Sequence, residues 1–422
     1  MNKISSLRKP LFLWFFASLF FAFQFILRLP VGILREEIMQ KFSIDTIAFG
    51  TLAGYYYLGY AGMQLPIGLM LDKFNFRIVT FLSILLTSLG TLAFITSTNF
   101  NFLLVSRLMI GAGSAIGFLS VAKISTAYFP LKYHALMIGF SFTFGLIGAV
   151  FGLTPMKLLF NFFGYQNTFY SLAIVALTIG IVILLVKGDS EIESKPRTDR
   201  VTNISIFKLL LNPTILLIGI AGGLMVGALE GFSDLWAIPF FKQIYNMDDI
   251  ESSFVTSFVY TGMCFGGPIL AMASNLVKSS NLIIIISGLM MIVIFIILLY
   301  IPSLGFYTSC LLMFLLGIFC CYQVLIFSIV SSLVSDKSAG LAIAIANCIN
   351  MAFGYFFHKL MSHAINYTWN GAIDEVGMAI YNRYDFTIAI STIPVCCFIG
   401  ILIFLYLFSK VKTDIASNKD SV

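Results

Sequence analysis

The chain returns about a dozen times, between Pro10 and Ser409, to apolar runs of roughly 20 to 28 residues. An α-helix needs about 20 apolar residues to cross a hydrocarbon core of about 30 Å. A polar stretch at 187–208 divides the runs into two sets of six. The runs are predicted to start near residues 11, 46, 77, 102, 134, 164, 211, 252, 281, 303, 339 and 384. The sequence therefore predicts an all-α membrane protein with twelve transmembrane helices in two pseudo-symmetric six-helix bundles.

The composition also indicates a membrane protein, with 59% hydrophobic and 10% charged residues and a mean hydropathy of +0.98. Such values exclude an ordinary soluble globular domain. The chain is therefore not expected to contain a soluble domain large enough for a common enzyme active site. We find no nucleotide-binding loop, no metal-ligand spacing and no nucleophile–base pair in the sequence. The chain is therefore not expected to be an enzyme, to hold a metal or cofactor, or to hydrolyse ATP.

Lysine and arginine are distributed unevenly between the loops on the two sides of the predicted spans. Most lie in the N-terminal tail, the C-terminal tail and alternate loops, whereas the remaining loops carry only Arg35, Lys41, Lys157, Lys242 and Arg383. An excess of positive charge marks the cytoplasmic side of a membrane protein. We therefore expect both termini to be cytoplasmic. The expected location is a bacterial cell inner membrane, and the expected oligomeric state is a monomer. The net charge of +6 orients the chain and does not imply a nucleic-acid partner.

The two halves resemble distant copies of one unit. Sliding one half onto the other places Pro66 on Pro268 and Arg28 on Glu230. The predicted organisation is an N-terminal bundle (1–186), a charged cytoplasmic linker (187–208), a C-terminal bundle (209–409) and a cytoplasmic tail (410–422). Parallel repeats of this kind place a binding site between them, near the bilayer midplane. In the outer loop after the eleventh span, a short helix is predicted from Ile373 to Tyr381.

The segment between the second and third spans reads Gly-Leu-Met-Leu-Asp-Lys-Phe-Asn-Phe-Arg, from Gly68 to Arg77. It resembles the Gly-x-x-x-Asp-Arg-x-Gly-x-Arg signature of the major facilitator superfamily. Gly68, Asp72, Lys73 and Arg77 match, while Asn75 stands where the family usually has Gly. A carboxylate at a helix end beside cations can latch one conformation. Asp72, Lys73 and Arg77 are therefore predicted to close the cytoplasmic side, with Gly68 allowing close helix contact.

A second resemblance lies in the fourth span, where Arg107 is followed by Gly111 and Gly113, similar to the family's intramembrane arginine and spaced glycines. The resemblance implies a secondary transporter that works by alternating access. Residues 55–57, 64–66 and 234–236 also suggest a similarity to organophosphate and dipeptide carriers. The glycine–proline pattern of drug/proton antiporters is not evident in the fifth span.

Charged residues inside the spans are functional candidates, because burying charge in a bilayer is costly. Arg28 lies deep in the first span, with Gln24 one turn away on the same face. A guanidinium suits a carboxylate or phosphate, so Arg28 is predicted to anchor an anion. There are two alternatives. Arg28 could form a structural salt bridge with Glu230, or its long side chain could extend its charged end to the membrane–water interface.

Glu230 and Asp234 lie four residues apart in the seventh span and are predicted to share one helix face. Two buried carboxylates so close disfavour double ionisation, which makes them candidates for carrying a coupling proton. Glu230 could instead bind a substrate ammonium, and Asp234 could lie hydrated near the outer surface. Arg107 is assigned to coupling or helix packing. Lys123 is assigned either to an anion-attracting inner cavity or to the cytoplasmic interface.

Polar and aromatic residues form helical stripes in several spans. Tyr57, Tyr60 and Gln64 share a stripe of the second span and are predicted to shape the pocket near Arg28. Similar pairs are Tyr322 with Gln323, and Asn347 with Asn350. His358, Lys359 and His363 are predicted to approach the outer end of the eleventh span.

These features favour a secondary transporter for a small polar metabolite, anionic or zwitterionic, driven by protons or by exchange. The partners expected are this small molecule, the lipid bilayer and protons. One alternative is an exporter of amphipathic drug-like or siderophore-like compounds, which would depend little on Arg28. Another is a non-transporting receptor built on a transporter scaffold.

Overall fold

The structure is a computed structural model that describes residues 2–186, 208–374, 377 and 379–419. Helices form nearly all of this described chain. Except for Lys208, the predicted linker lies outside the described residues. We number the membrane-crossing segments span 1 to span 12 and call the side on which span 1 begins the N-terminal face.

The N-terminal half contains spans 1 to 6, of which three are interrupted. Spans 2, 3 and 6 are the continuous helices Thr46–Lys73, Phe76–Thr96 and Tyr165–Leu185. Span 1 is Asn2–Arg28 with a short continuation, Pro30–Ile33, and a separate helix, Arg35–Phe42, follows it. Span 4 is Phe100–Ser114 and Ile116–Tyr128, and span 5 is Leu131–Phe151 and Thr154–Phe163, bent by 47°.

The C-terminal half contains spans 7 to 12. Span 7 consists of Pro213–Met225, a π-helical segment Gly227–Trp236, and Ala237–Tyr245. Spans 8 and 9 are Asp249–Val277 and Ser280–Tyr300. Span 10 is Phe306–Cys320 and Tyr322–Ser332. Spans 11 and 12 are Asp336–Thr368 and Arg383–Lys419.

Ten helices of the described chain are long and apolar enough to cross a membrane, and the bent span 5 makes an eleventh. Span 2 completes the set, since it is 28 residues long and lies between spans 1 and 3. Its tyrosines, glycines and Gln64 lower its mean hydropathy, because it faces protein rather than lipid on much of its surface. The predicted all-α fold of twelve spans is confirmed. The observed helices begin within a few residues of the predicted starts, except in span 1, whose helix begins at Asn2 rather than near residue 11.

Glycines in span 7 create the surface on which span 11 packs. Gly219, Gly223 and Gly227 follow one another at four-residue spacing, and a Cβ atom on each would collide with a side chain of span 11. The side chains they receive are Ile349, Phe353 and Phe357. Without a hydrophobic driving force between helices in lipid, close approach at small residues supplies the dispersion contacts that hold a pair together.

At the face opposite the N-terminal face, ion pairs join the two halves. Lys242 of span 7 lies 3.0 Å from Glu36 of the N-terminal half and 2.9 Å from Asp249 at the start of span 8. Lys157 of span 5 lies 3.0 Å from the same Asp249. Four charges that alternate in sign thus bridge the two halves at this face. We call these four residues the opposite-face latch.

The loop between spans 11 and 12 differs from the prediction of a short helix from Ile373 to Tyr381. Its described residues contain an isolated antiparallel bridge between Ile373 and Ala379. Glycines with positive φ, Gly371 and Gly377, lie in this loop and favour turns over a helix. Tyr381 at its end is buried and shares a hydrogen bond with Thr46 of span 2.

Candidate substrate site

A buried ion pair between span 1 and span 7 joins the two halves. Arg28 Nε lies 2.6 Å from Asp234 Oδ2, and both residues are 7% exposed. The hydroxyl groups of Tyr57 and Tyr260 donate hydrogen bonds to the same carboxylate. Spans 1, 2, 7 and 8 thus meet at one aspartate. We call Arg28, Asp234, Tyr57 and the residues packed around them the central cluster.

Arg28 owes its position to a break in span 1. Pro30 has no N–H to donate and its ring obstructs the preceding turn, so the helix stops at Arg28 and resumes two residues later. The break leaves backbone carbonyl groups without helical partners, which the membrane interior does not tolerate. The guanidinium of Arg107 donates to the carbonyl oxygens of Leu27, at 3.0 Å, and Arg28, at 3.3 Å.

Arg107 therefore stabilises the backbone that carries Arg28. Its guanidinium also lies 5.1 Å from the ring centroid of Tyr56, whose hydroxyl donates to Gln24 Oε1 at 2.5 Å. Of the two predicted roles for Arg107, these contacts correspond to helix packing. Its predicted role in coupling stays a prediction.

The π-helical segment of span 7 positions both acidic residues toward the cluster. All its residues are buried, and Ser233 Oγ donates back to the carbonyl oxygen of Ala228, five residues earlier. Short π segments inside α-helices occur frequently at functional sites. The backbone of this segment lies so close to span 1 that a Cβ atom on Gly32 would be 2.9 Å from the carbonyl oxygen of Asp234.

Arg28 pairs with Asp234 and not with Glu230, which was the partner considered from the sequence. Glu230 is 1% exposed, and its Oε2 has no hydrogen-bond partner among the described residues. A Cβ atom on Gly354 of span 11 would lie 2.6 Å from that oxygen and would also strike the Tyr57 ring. Asp234, for which a hydrated outer position was one alternative, is buried.

His358 is a cluster residue whose depth the sequence did not predict. We expected it near the outer end of span 11, but it is 2% exposed and its ring centroid lies 5.2 Å from that of Tyr57. Neither ring nitrogen has a hydrogen-bond partner among the described residues. The available signal was that Asn350, Gly354 and His358 follow one another at four-residue spacing, which places all three on one face of the helix.

The charges of the cluster balance when both carboxyl groups are ionised. Arg28 and Arg107 supply two positive charges, and Asp234 and Glu230 supply two negative ones. If Glu230 were protonated, the cluster would carry a net positive charge. In that form the cluster suits a bound anion.

Other residues predicted to bind substrate lie along the interface of spans 2 and 11. Tyr60 is buried, and its ring centroid lies 6.2 Å from that of Tyr56. Gln64 is also buried, and its Oε1 accepts a weak hydrogen bond from Cys348 of span 11 at 3.8 Å. Both therefore extend the polar stripe of span 2 away from Arg28 toward the N-terminal face.

Lys123 lies outside the central cluster. Its ammonium is 2.8 Å from Asp72 Oδ1, and both side chains are partly exposed at the N-terminal face. Lys123 thus belongs with the predicted gating motif, because span 4 ends beside the loop that carries Asp72. Its predicted role in substrate binding gains no support from this position.

The rest of the gating motif is placed as follows. Lys73 is exposed and Arg77 is half-buried. Asn75, the departure from the family pattern, caps span 3, since its side chain accepts from the backbone N–H of Arg77 at 2.9 Å. A Cβ atom on Gly68 would meet nothing within 4 Å, so Gly68 makes no close helix contact in this conformation.

Comparison with known proteins identifies related transporters. The chain is 24% identical over 196 residues to the "Putative tartrate transporter" of Agrobacterium vitis, an overlap of 44% of this chain and 43% of that protein. It is 23% identical over 271 residues to the "Uncharacterized transporter YybO" of Bacillus subtilis, covering 57% and 60% of the two chains. The matches thus span between two fifths and three fifths of these relatives.

Solved structures share the fold over almost the whole chain. An inward-facing, unoccupied bacterial homologue of the human lysosomal transporter Spinster superposes with a TM-score of 0.76 and 16% identity, covering 95% of this chain and 97% of that one. A variant of the nucleoside transporter NupG gives 0.74 and 14%, covering 94% and 100%. The sequence model described as Major Facilitator Superfamily matches residues 10–357. The chain therefore belongs to the Major Facilitator Superfamily of multi-pass membrane transporters.

Proposed function

We propose that this transporter moves a small organic anion across the membrane, with Arg28 holding the anionic group. The observation that carries the proposal is the state of the Arg28 guanidinium. It is buried at the interface of the two halves, its Nε is paired with Asp234, and its Nη2 has no partner among the described residues. A guanidinium binds a carboxylate through two parallel N–H groups, and Arg28 has a donor to spare.

The surroundings of Arg28 also suit a ligand. Its Cζ lies 5.0 Å from the ring centroid of Tyr57 and 5.3 Å from that of Phe25, so the guanidinium is flanked by aromatic rings. Aromatic walls with few polar groups are typical of small-molecule sites. The relative named for tartrate, a dicarboxylate, agrees with an organic anion as the substrate class.

Asp234 provides a mechanism for coupling transport to protons. Its carboxylate competes with the substrate's anionic group for Arg28. A proton on Asp234 would release the guanidinium to the substrate's anionic group. Movement of the two halves would then carry the anion and the proton together, as alternating access around a central site requires. Glu230 in the same cluster is the second candidate proton carrier.

In this proposal the N-terminal face is cytoplasmic, in a bacterial inner membrane, as the charge asymmetry of the loops favours. The opposite-face latch would then close the outer side. The Asp72–Lys123 pair and Lys73 lie on the inner side, where the gating motif is expected to act.

Uptake of labelled carboxylates into proteoliposomes tests the proposal. Arg28→Gln should reduce uptake of anionic substrates at least a hundredfold, because a buried charge-assisted pair is lost in the bound state. Lys41→Gln, which removes an exposed positive charge, is the matched control and should transport normally.

Carboxylate uptake that is equal in Arg28→Gln and in the unchanged protein would reject the anion anchor. Transport confined to lipophilic compounds would instead favour the exporter of amphipathic molecules. For the coupling step, an imposed pH gradient should accelerate uptake in the unchanged protein and have no effect in Asp234→Asn.

A further inference from the structure

Three helices contribute polar atoms to the central cluster that have no hydrogen-bond partner among the described residues. They are Nη2 of Arg28 in span 1, Oε2 of Glu230 in span 7, and both ring nitrogens of His358 in span 11. All three residues are more than nine-tenths buried. Buried polar groups in native proteins are almost always hydrogen-bonded, so a concentration of exceptions at one place needs an explanation.

The unpartnered atoms lie around the ring of Tyr57. The Arg28 Cζ is 5.0 Å from the ring centroid and the His358 ring is 5.2 Å from it. Gly354, one turn before His358, is in contact range of both the Tyr57 ring and Glu230 Oε2, because a Cβ atom at this position would meet both. Arg28, Glu230 and His358 therefore all lie beside the Tyr57 ring. We call Arg28 the cationic pole of the cluster, and Glu230 with His358 its second pole.

The second pole offers both donors and acceptors. A neutral imidazole carries one donor nitrogen and one acceptor nitrogen, and a carboxyl group always supplies at least one acceptor. An ammonium group has donors only, so it would satisfy the acceptors and leave the imidazole N–H unpaired. An unsubstituted carbon would satisfy neither. A hydroxyl group both donates and accepts, so it alone of these three can pair with either kind of atom.

We infer that the second pole recognises hydroxyl groups and that the substrate is a small hydroxycarboxylate. Its carboxylate binds Arg28, and a hydroxyl group on a neighbouring carbon binds His358 and Glu230. This inference rests on the proposed function and narrows its substrate class. His358 is then a specificity residue, and Gly354 is required because a Cβ atom there would collide with the Tyr57 ring and with Glu230 Oε2.

Binding measurements on the purified full chain, with ligands that differ only in one substituent, test this inference. The probes are propionate, lactate and alanine, together with succinate, malate and aspartate. Sites that hydrogen-bond a ligand hydroxyl discriminate strongly against analogues that lack it, because their own polar groups are left unpaired. The hydroxylated acid should bind at least tenfold more tightly than its unsubstituted and amino counterparts.

Variants of His358 locate the source of this preference. His358→Ala should reduce the preference for the hydroxylated acid at least fivefold while leaving the affinity for the unsubstituted acid unchanged. His358→Gln, which keeps one donor and one acceptor, should retain part of the preference and guards against a folding defect of the alanine variant. His363→Ala is the matched control, since His363 is exposed on the same helix and its Nδ1 bonds to the backbone carbonyl of Lys359.

The outcomes separate the inference from the function on which it rests. If carboxylates bind in an Arg28-dependent way but the hydroxyl group gives no advantage, or the amino acid binds most tightly, the inference is wrong and the anion transporter stands. A preference that survives unchanged in both His358 variants also overturns it. If none of these acids binds and Arg28→Gln changes nothing, the proposed function itself is rejected.

Discussion

The Arg28–Asp234 pair offers a prediction whose magnitude follows from its burial. Asp234→Asn leaves a guanidinium that is 7% exposed without its anionic partner. Removing one member of a buried ion pair costs about 3–5 kcal/mol. Glu230 lies in the same cluster and can take over part of the pairing, so we expect the loss to be near the lower end, about 3 kcal/mol.

The double variant Arg28→Gln with Asp234→Asn removes both charges and leaves two amides of similar size. Neutral replacements of buried pairs are often close to neutral in stability, so this variant should lose only about 1 kcal/mol. The expected coupling energy between the two sites, from a double-mutant cycle, is therefore at least about 2 kcal/mol. The free energy of unfolding in mixed detergent micelles is the quantity to measure.

The matched control is the Lys242–Asp249 pair, whose side chains are 36% and 43% exposed. Exposed pairs contribute about 0–1 kcal/mol, so the same cycle there should give a small coupling energy. A coupling energy below about 0.5 kcal/mol at Arg28 and Asp234 would show that burial does not strengthen the central pair, and would refute the reasoning.

Three further predictions concern neighbouring features. Gly354→Ala should lower the free energy of unfolding by about 1–3 kcal/mol and weaken ligand binding, because its Cβ atom would lie 2.6 Å from Glu230 Oε2. Gly62→Ala is the control and should be neutral, since a Cβ atom there meets nothing within 4 Å. Arg107→Lys should lower the free energy of unfolding by about 1 kcal/mol or more, since one ammonium group cannot reproduce the forked contact with the carbonyl groups of Leu27 and Arg28. Unchanged stability would contradict this capping role. Lys242→Gln should weaken the opposite-face latch by about 1 kcal/mol. In a Ser253→Cys background, this should raise roughly fivefold the rate of labelling by an impermeant maleimide, after labelling of the native cysteines is subtracted. An unaltered rate would argue against a latch.

Much of the architecture was predictable because membrane insertion leaves a strong local signal. The bilayer thickness fixes the length of each apolar run, and the cost of an unpaired backbone group requires each run to be helical. The twelve span positions follow from these constraints. The prediction of a helix from Ile373 to Tyr381 was wrong, since a loop outside the membrane is not subject to them.

The candidate site was predictable only in its outline. The cost of burying charge in lipid was sufficient to single out Arg28, Glu230 and Asp234 from the sequence. Which carboxylate pairs with Arg28 was not predictable, since the two are four residues apart and a π-helical segment decides how each is turned. The pairing of Lys123 with Asp72 was not predictable for a similar reason, because the two residues are far apart in sequence and meet only in the folded helix bundle.

The amino-acid sequence was enough to indicate a membrane environment, twelve helices, the family resemblance and the charged residues inside the spans. Each of these depends on composition or on spacing within one helix. The tertiary structure alone decided that Arg28 binds Asp234, that Arg107 caps the broken end of span 1, and that His358 lies in the central cluster. These facts depend on how helices distant in the chain approach one another, which is set by glycine contacts and a proline break summed over many spans rather than by any local pattern.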